Sequence, residues 1–276
     1  MSSPHHEIFS ANIAKPKGMI LLGHAMFNKP EYYLKPKGLS FVDYLTSNGY
    51  DVIVISLTGY HTQKATKNVN FDVYVEDYLK IIKNVILKKD LPLHYIGHSV
   101  GSLTGLSAIL KSKISVKTLV LIAPAIWGFT VPIHSIKSIK QRIKISLAHS
   151  LSTYLGYLPS KLFRIGDTNP PAGYFSQFKS WINESNIFSV EKDCDYMQLW
   201  QSNTNRTFIF QAEKDQKMAP KENVLWVSNN IGSQVSIITI NKLNFGYKSD
   251  HFTIIYGKNA AESVWPKIVT LLESTK

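Results

Sequence analysis

The sequence predicts an α/β protein in which helices cover both faces of a mostly parallel central sheet, with a helical cap inserted into it. Three observations predict this class. Six apolar runs with strand character recur along the 276 residues at intervals that leave room for helices. Several of these runs are continuously apolar, as in strands that are buried on both faces. The alternation is interrupted once, between about residues 125 and 204.

Strands and helices are assigned from the period of the apolar residues. The strand candidates are residues 18–22, 51–56, 93–97, 117–122, 206–211 and 235–240. Between and after them, three sets of apolar residues recur at helical spacing. They are Val75, Leu79, Ile82 and Ile86; Leu103, Leu106, Ile109 and Leu110; and Val264, Ile268, Val269 and Leu272. Pro266 lies within the last set and is expected to set the start of that helix or a kink in it.

The interruption predicts a separate helical layer. Residues 125–204 contain no good strand and are rich in Ser, Lys, Pro and aromatic residues, so we predict that they form a cap segment over a core made of residues 1–124 and 205–276. One helical face of the cap segment is apolar, and basic residues occupy its other faces. We expect this face, formed by Ile136, Ile139, Ile143 and Leu147, to pack on its own domain.

Two alternatives stay open for the cap segment. A basic amphipathic helix can also lie on a membrane surface, a contact that we consider possible but do not favour. The aromatic residues of the segment could line an apolar substrate cavity or form the core of the cap itself. These residues are Trp127, Phe129, Phe163, Tyr174, Phe175, Phe178 and Trp181.

Composition excludes several classes of protein. No apolar h-region is visible in residues 1–17, and no apolar run approaches the roughly 20 residues of a membrane helix. Cys194 is the only cysteine, so no internal disulfide can form and a cytoplasmic location is expected. The formal net charge is +12, but only three of the 31 basic residues are Arg. Because Arg suits phosphate and base-edge recognition and the Lys residues are scattered, we expect a solvated lysine-rich surface and no nucleic-acid partner.

A five-residue motif follows the third strand candidate directly. Gly97-His98-Ser99-Val100-Gly101 has the G-x-S-x-G form of a nucleophile elbow, in which a strand turns sharply into a helix and presents one serine at the bend. The bend strains the serine backbone, and glycines two residues before and after relieve the crowding. Ser99 is therefore the predicted nucleophile. The alternative is a serine that only caps a helix.

A serine nucleophile requires a base that takes its proton and a carboxylate that orients the base. In a sheet with this elbow, the chain order should be serine, acid, histidine. Asp215 comes shortly after the strand candidate 206–211 and is the predicted acid, although it could be only a turn residue. Glu213 is the near alternative, and Asp193 and Asp195 are weaker because no strand precedes them.

The predicted base is His251. It follows the last strand candidate and is the last of nine histidines, the only one beyond Asp215. A surface-loop histidine is the alternative. His98, beside the nucleophile in sequence, is expected to point away from it, and we also count it among the candidate substrate contacts with Phe27, Trp127 and Phe129.

Acyl transfer also needs two backbone donors for the oxyanion. One is expected from Val100, behind the serine. The other should come from the loop after the first strand candidate, Gly23-His24-Ala25-Met26-Phe27, which we call the oxyanion loop. Met26 is the predicted second donor, with Ala25 as the alternative.

Together these residues resemble the α/β-hydrolase fold superfamily, of the lipase/esterase-like kind with a cap inserted after the sixth strand. The resemblance rests on the elbow at Ser99, the oxyanion loop, Asp215 and His251, and it covers the chain from about residue 6. Residues 250–266 also resemble the end of acid-lipase-like hydrolases. Two departures are present. His24-Ala25 stands where many relatives have His-Gly, and Thr58-Gly59-Tyr60-His61 stands where Arg-Gly-His-Gly is common.

The resemblance and the residues together imply a serine hydrolase that cleaves a carboxylic ester of a small molecule through an acyl-enzyme. An acyltransferase or thioesterase on the same fold is the alternative, and a non-catalytic ligand-binding module is ranked last. No metal or other cofactor is expected, because the triad chemistry does not require one. The oligomeric state, the acyl-chain length and the leaving group stay open.

Overall fold

The computed structural model describes residues 5–34, 39–60, 67–126, 136–232 and 234–274, with backbone only for residues 136–138. A seven-stranded sheet forms the centre, in the order β1-β3-β2-β4-β5-β6-β7. Strand β1 pairs antiparallel with β3, and all the other pairs are parallel. The strands are β1 (His5–Phe9), β2 (Gly18–Gly23), β3 (Tyr50–Ser56), β4 (Leu93–His98), β5 (Thr118–Ile122), β6 (Thr207–Ala212) and β7 (Val235–Ile240).

The sheet confirms the six predicted strands to within one residue at each end. Strand β1 was not predicted, because three of its five residues are His5, His6 and Glu7 and most of the strand is exposed at the sheet edge. A strand that buries little apolar surface has no run of apolar residues to reveal it. The cap segment follows β5, the strand predicted at residues 117–122, in this seven-stranded sheet.

Helices cover both faces of the sheet, as predicted. The helices are α1 (Phe41–Ser47), α2 (Phe71–Asn84), α3 (Val100–Ser112), α4 (Ile136–Leu155), α5 (Ala172–Glu184), α6 (Tyr196–Gln201), α7 (Lys221–Asn229), α8 (Lys242–Phe245) and α9 (Trp265–Glu273). Buried side chains of α1 and α9 form one core with one face of the sheet. Side chains of α2, α3 and α7 form the other core with the opposite face. Pro266 lies in the first turn of α9.

The cap segment, in its described part, consists of α4, α5, α6 and the loops that join them. Its inner surface is continuous with the core, because Phe71 of α2 packs against Trp181 and Tyr196 with ring centroids 5.1 and 5.0 Å apart. The backbone N–H of Phe71 also donates to Oε1 of Gln177 at 3.0 Å. The cap segment therefore shares one apolar cluster with the sheet below it.

The apolar face predicted for α4 does not pack on its own domain. Ile139, Ile143 and Leu147 are 49%, 54% and 65% exposed, whereas Ile145 is buried. Two residues along a helix are separated by about 200°, so Ile145 points away from the side on which Ile143 lies. The helix packs on the protein through Ile145, Ala148 and Leu151, and the repeating apolar face lies in solvent. Contact of this face with a membrane surface stays the alternative that the sequence left open.

No helix in the described part of the chain has both the length and the apolar character needed to cross a lipid bilayer.

Candidate active site

The elbow forms where the motif places it. Strand β4 ends at His98, α3 begins at Val100, and Ser99 between them has φ 56° and ψ −120°. This left-handed conformation costs a non-glycine residue roughly 1–3 kcal/mol. A Cβ on Gly97 would lie 2.7 Å from the Cα of Ser102, and one on Gly101 would lie 2.7 Å from the carbonyl oxygen of His24. Both glycines are required because the backbone approaches too closely for a larger residue.

Three predicted side chains lie within hydrogen-bond distance of one another in a row. His251 Nε2 lies 3.0 Å from Ser99 Oγ, and His251 Nδ1 lies 2.5 Å from Asp215 Oδ2. Because an ionised carboxylate only accepts, Nδ1 carries the ring proton and Nε2 is free to accept from the serine hydroxyl. All three residues are buried. The arrangement has the geometry of a nucleophile, a base and an orienting acid.

Asp215 is held by donors on both carboxylate oxygens. Besides His251, it accepts from the backbone N–H groups of Met218 at 2.9 Å and Ala219 at 3.0 Å. Burial acts to raise the pKa of Asp215, but the hydrogen bond and the nearby charge of His251, with the two N–H groups, together hold that pKa below its ordinary value. The carboxylate is therefore ionised wherever the protein is folded near neutral pH.

The alternative acids lie elsewhere. Glu213 is exposed and faces Lys248 with a separation of 3.9 Å. Asp193 accepts from Ser189 Oγ on the cap surface, and Asp195 caps the N-terminus of α6 through Gln198 N. None of the three carboxylates hydrogen-bonds to His251 among the described contacts.

His98 lies beneath the base. Its Nε2–H donates to the carbonyl oxygen of His251 at 2.8 Å, and its ring contacts Tyr256 with centroids 5.7 Å apart. Burial, and next the neighbouring imidazole of His251, lower the pKa of His98 to about 3, so the ring is neutral. His98 is fully buried and is not part of the cavity lining at Ser99. His98 therefore holds the loop of His251, and its prediction as a substrate contact was wrong.

The two candidate oxyanion donors are backbone N–H groups of residues near Ser99. Val100 is the first residue of α3, where backbone N–H groups have no acceptor within the helix. Met26 lines the cavity at Ser99 together with Val100. Within the described part of the chain, neither N–H has a protein acceptor. Both are available to a negatively charged oxygen bound beside Ser99 Oγ.

Hydrogen bonds hold the carbonyl groups of Ala25, Met26 and Phe27 in the oxyanion loop, which the sequence alone did not reveal. His24 accepts from Leu57 N through Nε2, so its Nδ1–H donates to the carbonyl oxygen of Ala25 at 2.8 Å. The Ala25 carbonyl belongs to the same peptide unit as the Met26 N–H, and the two point in opposite directions in a trans peptide. His24 thereby sets the direction of the predicted donor. The sequence shows a histidine within the loop, but it does not show the hydrogen-bond partners of that histidine.

A second clamp holds the next peptide unit. The carbonyl oxygen of Met26 accepts from Tyr60 Oη at 2.5 Å and from Thr168 Oγ1 at 2.7 Å. Burial raises the pKa of Tyr60, so its hydroxyl stays protonated and donates. The carbonyl oxygen of Phe27 accepts from the N–H of Asp167 at 2.8 Å. The cap segment thus contributes hydrogen bonds that hold the oxyanion loop.

A small apolar cavity adjoins the serine. Its volume is about 30 Å³, enough for one or two water molecules. The lining includes Phe27, one of the predicted substrate contacts, with Tyr174, Phe175 and Phe178 of the cap segment and Met218. Of the other predicted aromatics, Trp181 packs on the core and Phe163 is exposed. Trp127 and Phe129, two of the predicted substrate contacts, lie outside the described residues.

No metal-binding cluster is present in the part of the chain that the structure describes, counted as three or more His, Cys, Asp or Glu side chains.

The fold and the elbow together define an α/β hydrolase. A family model described as "Hydrolase_4: Serine aminopeptidase, S33" matches residues 14–170, more than half of the chain. The protein therefore belongs to this family of serine-hydrolase type. The matched stretch contains Ser99 and the oxyanion loop and ends before Asp215 and His251. A search of curated proteins finds no match to the chain.

Solved structures show the same fold at low sequence identity. A monoacylglycerol lipase from Paleococcus ferrophilus is 14% identical with a TM-score of 0.66, and the match covers 100% of both chains. Est1E from Butyrivibrio proteoclasticus, solved with ferulic acid, is 12% identical with a TM-score of 0.65, covering 99% of this chain and 95% of that one. An esterase from Exiguobacterium antarcticum is 16% identical with a TM-score of 0.62, covering 98% and 95%.

Proposed function

We propose that the protein is a serine hydrolase that cleaves carboxylic esters through a covalent acyl-enzyme. The observation that carries the proposal is the continuous hydrogen-bonded row Asp215–His251–Ser99, buried beside two backbone N–H groups that have no acceptor among the described residues. A serine with no such base is a weak nucleophile. The triad is complete, which supports a catalytic protein over a non-catalytic module of the same fold.

The mechanism follows from the positions of these atoms. His251 Nε2 takes the proton of Ser99 as Oγ attacks the ester carbonyl carbon, and Asp215 holds the ring so that Nε2 faces the serine. The N–H groups of Val100 and Met26 stabilise the oxyanion of the tetrahedral intermediate. The protonated His251 then donates to the leaving oxygen, and the C–O bond breaks. A water molecule, deprotonated by His251, releases the acid from Ser99 by the same steps in reverse.

The aromatic cavity supports a short acyl group. Tyr174, Phe175 and Phe178 leave about 30 Å³ beside Ser99, so a long chain would have to displace them. We expect kcat/KM on p-nitrophenyl esters to be highest for acetate to butyrate and to fall as the chain lengthens to octanoate. A rise towards octanoate would contradict a short acyl group and would leave the triad assignment intact.

Covalent labelling tests the nucleophile. A fluorophosphonate probe should label the wild-type protein and should not label Ser99→Ala. Ser150→Ala, an exposed serine on α4, is the matched control and should label as wild type does. Absence of Ser99-dependent labelling in protein that retains its fold by circular dichroism would overturn the proposal. Addition of alcohol or amine acceptors to the ester assay separates hydrolysis from acyl transfer, and we expect the acid to remain the main product.

A further inference from the structure

A second, larger cavity lies beside the triad, and the mechanism proposed above assigns it no role. It is an open groove of about 830 Å³ between three segments: the residues after the oxyanion loop, the residues after His251, and residues 161–167 of the cap segment. Asn28 and Lys29 line the first side, and Phe252 and Thr253 line the second. We call it the basic groove for the charges described below.

The basic groove lies on the His251 side of the site. Phe252 follows His251 directly, and the two rings meet edge to face with centroids 5.2 Å apart. In the proposed reaction, His251 donates its proton to the oxygen of the leaving group, so that group must lie next to the imidazole. The aromatic cavity at Ser99, at about 30 Å³, has no room for a leaving group beside a short acyl group. The larger groove is therefore the space for the leaving group.

The charges of the groove are unbalanced. Lys29, Lys161 and Arg164 line it, against the single carboxylate of Asp167. Among the described ion pairs none involves these three basic residues. Three positive groups and one negative group leave a net charge of +2 at neutral pH. Such a groove attracts an anion, and Arg can bind a phosphate or carboxylate with two parallel hydrogen bonds.

The cap loop that carries two of these cations is anchored to the site. Arg164 has φ 53°, a left-handed conformation that a side chain other than glycine adopts at a cost. Its N–H donates to the carbonyl oxygen of Lys161 at 3.1 Å, which closes the turn that bears both side chains. Three residues on, the N–H of Asp167 donates to the carbonyl oxygen of Phe27. The backbone that carries Lys161 and Arg164 is thus anchored to the oxyanion loop, while both side chains are exposed at the groove.

We propose that the basic groove binds an anionic group, a phosphate or a carboxylate, on the leaving-group side of the substrate. The inference rests on the proposed ester hydrolysis and deepens it: the preferred substrates are short-chain acyl esters of an alcohol that carries a negative charge. Ser99 Oγ adds to the acyl carbon, the ester C–O bond breaks, and the anionic alcohol leaves with the proton donated by His251. Water then releases the short-chain acid from Ser99.

A set of butyryl esters tests the substrate class. They are 1-butyrylglycerol, 1-butyrylglycerol 3-phosphate and the butyryl ester of 3-hydroxypropionate. We expect the wild-type kcat/KM for at least one anionic ester to exceed that for 1-butyrylglycerol by about tenfold or more. The positive charge of the groove attracts the anionic group in the transition state and so lowers the barrier. The phosphate and carboxylate arms show which anion the groove prefers.

Matched charge variants locate the effect. Lys161→Gln with Arg164→Gln should reduce the ratio of anionic to neutral kcat/KM about tenfold. Lys140→Gln with Lys144→Gln removes the same two charges from exposed positions on α4 and should leave the ratio as in wild type. A wild-type ratio of one or less, or an equal loss in both double variants, overturns the proposal.

A binding measurement separates failure of this inference from failure of the proposed hydrolysis. Calorimetric titration of the Ser99→Ala protein with glycerol 3-phosphate, with 3-hydroxypropionate and with glycerol requires no turnover. We expect at least one of the two anions to bind, glycerol not to bind, and the bound anion to be lost in the Lys161/Arg164 double variant. Anion binding without hydrolysis of any ester would retain the groove and overturn the hydrolase. Hydrolysis of 1-butyrylglycerol without binding of either anion would retain the proposed hydrolase and overturn the anion-binding groove.

Discussion

The sheet and the cap helix α4 bury their apolar residues differently. Every residue of β2, β3, β4, β5 and β6 is buried, because helices cover both faces of these strands. On α4, by contrast, Ile139, Ile143 and Leu147 form a regular apolar stripe that is exposed, while Ile145 is buried. A continuously apolar strand is buried only when both of its faces are covered. An amphipathic stripe shows which side of a helix is apolar, but it does not show what packs against that side.

The two regions also divide the work at the site. The core supplies the proposed nucleophile, acid and base from loops at the carboxyl ends of β4, β6 and β7, respectively. The cap segment supplies the aromatic lining, the hydrogen bond from Thr168 to the oxyanion loop and two cations of the basic groove. We therefore expect core substitutions at the triad to abolish turnover, and cap substitutions to change which substrate is accepted.

The largest expected effect is at the base. His251→Ala should reduce kcat by about 10⁴-fold or more, because Ser99 then has no group to take its proton. Asp215→Asn should cost less, since Nε2 is still present but the ring is held less well. Steady-state rates on p-nitrophenyl butyrate measure both, with thermal unfolding as the control for folding. A loss of less than tenfold in His251→Ala would contradict the assignment.

A matched pair on α4 tests the contrast in burial. Ile145→Ala should lower the free energy of unfolding by about 2–3 kcal/mol, because it removes buried apolar volume. Ile143→Ala, the same change two residues away on the exposed stripe, should alter it by less than about 0.5 kcal/mol. Urea unfolding measures the difference. An equal loss at Ile143 would mean that the stripe is covered in solution.

A buried carboxylate in the core predicts a pH dependence of stability. Asp77 accepts from the N–H and the hydroxyl of Thr58, and burial raises its pKa to about 6. In the unfolded chain the pKa returns to its ordinary value of 3.8, so between these values the folded state binds more protons. This residue's contribution to stability therefore falls as pH rises from about 4 to 6, by roughly 2–3 kcal/mol.

Asp77→Asn isolates that contribution. The amide retains both contacts to Thr58, its oxygen accepting from the N–H and its NH₂ group donating to the hydroxyl, and it carries no charge to bury. The variant should match wild type in free energy of unfolding near pH 4 and exceed it by about 2 kcal/mol at pH 7. Urea unfolding at the two pH values measures this. A difference that does not change with pH would show that Asp77 is not desolvated as described.

The smallest expected effect concerns the clamp on the oxyanion loop. His24→Phe keeps the ring volume but removes the hydrogen bond to the Ala25 carbonyl, so the Met26 N–H is less well aimed. We expect kcat to fall about tenfold with little change in KM, since the donor acts mainly on the oxyanion of the transition state. Partial rescue by His24→Asn, whose amide can donate to the same carbonyl, would distinguish positioning from packing. Equal losses in both variants would favour packing.

The sequence by itself determined the six apolar strands and the positions of Ser99, Asp215 and His251 in chain order. These features depend on local patterns. Strands that are buried on both faces have continuously apolar sequences, and the elbow needs glycine on both sides of the serine. The edge strand β1 was not predicted, because its mostly exposed residues do not form a continuous apolar run.

Only the tertiary structure decided which distant residues meet. Tyr60 and Thr168 converge on the carbonyl oxygen of Met26 from 34 and 142 residues away, and no local period records such contacts. The structure alone also showed that the α4 stripe is exposed and that Lys161 and Arg164 share a groove with Phe252. Helical spacing identifies the residues that share a face, but tertiary packing determines which part of the protein, if any, covers that face.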